Sequence, residues 1–93
     1  MNTKAKGNRN EYRSMRVLEA AGYAVTRSAA SLGAWDIIGV SSADVVLLQV
    51  KSNRWPCPAE METLRSFVCP PNCRKLVHRW RDGQSLPDVK EVT

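Results

Sequence analysis

The chain reads as an α/β domain: a mixed β-sheet flanked by helices, in the order α-β-β-β-α-β-β. Three observations predict it. Residues 8–21 carry apolar side chains at helical spacing. The stretches "YAVTRS", "WDIIGV" and "VVLLQVK" are short apolar runs separated by loop and turn residues. A second amphipathic segment, 59–68, divides them from a final strand pair. Ninety-three residues suit one domain with a small core.

Taken in order, residues 1–8 look like a flexible basic arm. In the first helix, Glu11, Met15, Leu18 and Gly22 form one stripe, widened by Tyr12, Val17 and Ala21, and Gly22 stops the helix. Glu11 lies at the centre of that stripe, where a carboxylate either pairs with a cation at the edge of the core or serves a site. Strands follow at 23–28, 35–40 and 45–51, with "AASLGA" and "SSAD" between them, as in an antiparallel meander packed on the helix. "NRWPCP" breaks the chain before the second helix, whose Met61, Leu64, Phe67 and Val68 point inward. Strands at 75–83 and 87–92, turned at Asp82-Gly83, close the sheet.

Composition narrows the function classes. No stretch approaches a membrane span, and the basic N-terminus has no apolar segment behind it, which leads to the expectation of a cytoplasmic protein. The net charge is +5. Lys4, Lys6, Arg9, Arg13, Arg16 and Arg27 form one basic cluster; Arg74, Lys75, Arg79 and Arg81 form another. Clustered cations favour a nucleic-acid partner. Cys57, Cys69 and Cys73 are an odd set that argues against a disulfide framework, and free thiols are the default reading. With His78 they also make a candidate Cys3His zinc set.

The stretch "LLQVKS" carries the chemistry. Gln49 and Lys51 close an apolar strand and project from one face. Asp36 opens the neighbouring strand, so a hairpin sets its carboxylate beside them, and the first helix brings Glu11 to the same end of the core. Asp36 and the Gln49 amide oxygen are hard donors for Mg²⁺, for which Mn²⁺ is the natural substitute, and the Val50 carbonyl is a further donor. A cation there acidifies water and polarises a phosphate, with Lys51 stabilising the developing charge. That is what phosphodiester hydrolysis needs.

An Asp followed by (D/E/Q)xK, behind a glutamate-bearing helix, resembles the PD-(D/E)xK nucleases and their restriction-endonuclease-like core. Within them the chain is most similar to the archaeal-type Holliday junction resolvases, through "KGNRNEYR", "LEAAGYAVTRSAAS", "WDIIGV" and "LLQVKS". The resemblance covers residues 6–52; beyond that only the order of elements agrees. It implies Glu11, Asp36 and Gln49 at the metal and Lys51 at the water or phosphate. It also implies Arg27 and Ser31 near the DNA backbone or the metal, with Lys6, Arg9 or Arg13 on phosphate. Such enzymes are homodimers that cut a four-way junction symmetrically, and a phage or mobile-element origin suits the size of the chain. Gln49 stands where an acid is usual, which removes a negative charge and lowers metal affinity, although the Mrr-like branch is similar in using QxK. The loop between Ser31 and Asp36 also looks longer than in the archaeal enzymes.

Trp35, Trp55 and Trp80 read as core or dimer-contact residues, with Trp55, just after Lys51, the one placed to lie against DNA. Two readings compete with the nuclease. One is a non-catalytic DNA-binding module that keeps the fold and basic surface, with Gln49 marking a lost metal site; taken by itself, Glu11 also reads as a helix-start carboxylate or a partner of Arg27. The other is a zinc-stabilised interaction domain built on Cys57, Cys69, Cys73 and His78.

Overall fold

The computed structural model describes residues 3–28 and 33–93, with the backbone alone for 3–6. Helix α1 (Thr3–Ala20) leads into strands β1 (Ala24–Arg27), β2 (Ile37–Val40) and β3 (Val45–Ser52). Helix α2 (Pro58–Ser66) then crosses to β4 (Cys73–Trp80), and β5 (Asp88–Glu91) ends the sheet. The five strands lie side by side in sequence order. All pairings are antiparallel except β3 with β4, which are parallel, so the sheet is mixed. A parallel neighbour needs a crossover, and α2 provides it.

Residues 3–8, expected within a flexible arm, belong instead to α1, which is helical from Thr3. Ala5, Lys4, Lys6 and Arg9 are good helix formers, and the single Gly7 costs only about 1 kcal/mol against alanine. Gly22 ends the helix as expected, with φ 99°. The Gly22 amide donates to the Glu19 carbonyl at 3.0 Å and the Tyr23 amide to the Leu18 carbonyl at 3.1 Å, the paired bonds of a Schellman cap.

The sheet has a core on each face. On the α1 side, Leu18 packs with Ile37, Val46, Leu48 and Leu76. On the other side, Leu64 of α2 packs with Trp35, Leu47, Val77 and Val92. Strand β3 is central, and Val46 to Gln49 are all buried. The buried line of α1 differs from the expected one. It runs through Asn10, Ser14 and Leu18, whereas Tyr12 is 50% exposed. Asn10 and Ser14 are tolerated inside because strands β3 and β4 supply their partners. The Asn10 amide donates to Ser52 Oγ at 2.8 Å, and Trp80 Nε1 donates to Ser14 Oγ at 2.7 Å. Val68 also leaves the expected core, because α2 ends at Ser66 and Phe67 is already extended.

Candidate active site

Asp36 lies just before β2, with its backbone clamped on both sides. Its amide donates to the Leu48 carbonyl at 2.8 Å, and its carbonyl accepts from the Ser28 amide at 2.9 Å. β2 therefore begins opposite Leu48, and beyond that point β3 is paired with β4 alone. The Val50 amide, left without a β2 partner, donates to Asp36 Oδ2 at 2.7 Å. Burial pushes the Asp36 carboxyl above its ordinary range, and the Val50 bond pulls it back. The Glu11 charge pushes it up further, while Lys51 and Arg27 pull it down. Asp36 is thus the point at which the charges of the other site residues meet.

Strand alternation separates those residues into two groups. Gln49 and Lys51 share the face of Leu47, over which α2 lies. α1, which carries Glu11, packs on the opposite face, over Val46 and Leu48. The constellation straddles the end of the sheet instead of occupying one face, because both faces of this short strand are covered.

Each group is held by a named partner. Glu11 Oε1 accepts from Arg27 Nε at 3.0 Å and Nη2 at 2.8 Å, which leaves Oε2 outside the pair. Arg27 also reaches Asn8 Oδ1 at 3.1 Å and lies 5.0 Å from the Tyr12 ring centre. Gln49 Nε2 donates to the Ala34 carbonyl at 3.3 Å, and its Oε1 is buried with no hydrogen-bond partner among the described residues. An amide oxygen shut away from water without a donor is costly, so a bound cation or water suits it. Lys51 Nζ lies 3.3 Å from Glu60 Oε2. In the sequence Glu60 stands out only as one residue of the second helix. The available signal was an acid at the third position of a helix that starts soon after a charged strand end.

The residues expected on DNA divide as well. Arg9 and Arg16 are exposed. Arg13, expected on phosphate, is instead built into the fold. Its guanidinium stacks 3.9 Å over the Trp80 ring, and it donates to Asn10 Oδ1 at 3.2 Å and to the Gln84 carbonyl. The Trp55 ring is taken up by Arg79 at 4.5 Å and Lys90 at 4.8 Å, so it is not a bare stacking platform. In the second basic cluster, Arg74 pairs with Glu91, and Arg79 and Arg81 with Asp88, which spends much of its field within the fold. The side chain of Lys6, and Ser31 altogether, lie outside the described residues. The zinc set does not assemble: Cys73 and His78, an odd number of residues apart on β4, project from opposite faces. Among the described residues no three His, Cys, Asp or Glu side chains group to hold a metal. A site at Asp36 would therefore depend on amide and carbonyl oxygens as well as carboxylates. No helix of the described residues is long and apolar enough to cross a membrane.

No curated protein matches the chain. Among solved structures, Hjc of Archaeoglobus fulgidus, a Holliday junction resolvase from an archaeal hyperthermophile, superposes with a TM-score of 0.74 at 22% identity. The match covers 94% of this chain and 73% of that one, and establishes the shared fold. The model of the archaeal Holliday junction resolvase family matches residues 2–64, a span that contains Glu11, Asp36, Gln49 and Lys51. Through that match the chain belongs to the archaeal Holliday junction resolvase (Hjc) family, within the PD-(D/E)xK nucleases.

Proposed function

We propose that the chain resolves branched DNA, hydrolysing phosphodiester bonds at a divalent-metal site built on Asp36. The single observation that supports the site is a buried Gln49 Oε1 without a partner among the described residues, one position before Val50, whose N–H holds the Asp36 carboxylate. The residues fit a hard cation, Mg²⁺ or Mn²⁺: Asp36, Gln49 Oε1, the Val50 carbonyl and Glu11 are all oxygen donors. Such a cation, when bound, supplies Lewis acidity and an acidified water.

The chain's own groups do the rest. The Val50 N–H fixes one Asp36 oxygen and so orients the other. Glu11, anchored through Oε1 by Arg27, keeps Oε2 as an acceptor that orients water. Lys51 presents an ammonium that stabilises charge on the scissile phosphate. Arg27, Ser31, Arg9 and Lys6 guide the backbone of the substrate toward this end of the sheet. Two copies of the chain would supply one site for each strand cut at a four-way junction, so the working form is a homodimer.

Purified protein with Mg²⁺ or Mn²⁺ on a synthetic four-way junction, run beside Asp36→Asn and Lys51→Ala, is the test. Cutting by the wild type and its loss in both variants is expected. No cutting by the wild type, or equal nicking by all three, would overturn the assignment.

A further inference from the structure

We propose that Glu60 is a positioning residue of this site: from α2 it supplies the negative charge that Gln49 lacks, and it holds Lys51. The inference rests on the metal-site reading above and adds a residue to it.

Charge balance is the first ground. Asp36 and Glu11 contribute two negative charges, and Arg27 and Lys51 contribute two positive ones. Gln49 adds none, so without Glu60 the cluster is neutral and attracts a dication weakly. Adding Glu60 makes it anionic. Geometry is the second ground. Gln49 and Lys51 project toward α2, and Glu60 is the acid of the first turn of α2. Its side chain is held at both oxygens: Oε1 accepts from the Cys57 amide at 3.1 Å, and Oε2 lies 3.3 Å from Lys51 Nζ. Pro58 at the start of α2 fixes the entry of the chain, so the carboxylate is presented from a rigid turn. The Cys57 amide, first among several causes, holds the Glu60 carboxyl below its ordinary range, so it stays charged near neutral pH. An acid displaced from the strand to the helix thus answers to the amide at Gln49.

Calorimetric titration of the whole chain with Mn²⁺ tests this. Glu60→Gln keeps an oxygen for the Cys57 amide and removes only the charge. Its Mn²⁺ affinity is expected to fall about tenfold, the scale of one charge acting on a dication several ångströms away in a highly polarisable surrounding. Adding Gln49→Glu to Glu60→Gln is expected to restore affinity to within about threefold of wild type, with an unchanged thermal midpoint in Glu60→Gln. Wild-type affinity in Glu60→Gln, or a loss that Gln49→Glu does not restore, overturns the role of Glu60. If Asp36→Asn abolishes uptake while Glu60→Gln does not alter it, the metal site stands and Glu60 alone falls. No Mn²⁺ uptake by the wild type overturns both.

Discussion

Two buried polar clusters flank the sheet, and they are finished differently. On the α1 face, Ser14, His78 and Trp80 form a closed set. The Trp80 indole can only donate, so it donates to Ser14 Oγ, and the same hydroxyl lies in hydrogen-bond contact with His78 Nδ1, 2.9 Å away. Among the described residues none of these three side chains carries a buried polar atom without a partner, and the imidazole is neutral, its pKa lowered by burial to about 4. At the end of β3 the set is open. Gln49 Oε1 has no partner among the described residues, and Asp36 is a carboxyl pushed upward by burial. Closed polar clusters hold a fold together. Open ones cost stability and are kept where something else is to bind.

Substitutions at the two clusters are therefore expected to have opposite signatures. The largest effect belongs to the open one. Asp36→Asn is expected to lower junction cleavage by at least about 100-fold while leaving the denaturation midpoint unchanged or raised, since it removes a charge from a desolvated place. A paired cleavage assay and urea titration read both, and a loss of stability to match the loss of cutting would erase the contrast.

The closed cluster responds to pH. Above pH 6.5 His78 is neutral whether the chain is folded or not, so stability is full there. As pH falls toward 4 the unfolded chain takes up the proton that the folded chain refuses, and stability declines. Below about 4 both states are protonated at this residue and its loss is complete, at about 3 kcal/mol. Urea unfolding at pH 7 and 4.5 measures the slope, and His78→Gln is expected to flatten it.

Ser14→Ala strips the partner from both Trp80 Nε1 and His78 Nδ1, and is expected to cost about 2 kcal/mol, with junction cleavage by the folded fraction unchanged. The smallest stability effect is expected at Gln49→Met, which keeps volume and deletes the orphan oxygen. Unfolding free energy is expected to stay within about 1 kcal/mol of wild type or rise, while Mn²⁺ affinity falls. A large destabilisation there would make Gln49 a structural residue like Ser14.

Much of this was legible in the chain. Local patterns set the seven elements, because strand runs such as "VVLLQV" and the Gly22 stop act through nearest neighbours. The register that seats Asp36 beside β3 follows from a short hairpin, whose turn at Ser41–Asp44 is closed by the Ser41 hydroxyl. Less legible was everything that depended on which face meets which. The buried stripe of α1 is polar at Asn10 and Ser14, and no periodicity of apolar residues shows that. Arg13 and Arg79 look like free cations in one dimension, but they stack on Trp80 and Trp55.

By itself the sequence determined the order of the elements, the basic surplus, and the acid, amide and lysine at one strand end. Those are properties of adjacent residues and of spacing along a single strand. Only the tertiary structure decided that Glu11 and Lys51 approach Asp36 from opposite faces of the sheet, that Gln49 keeps an oxygen unanswered among the described residues, and that Glu60 stands against Lys51. These follow from packing a helix on each side of one central strand, and that packing brings together residues whose separation along the chain carries no sign of their contact.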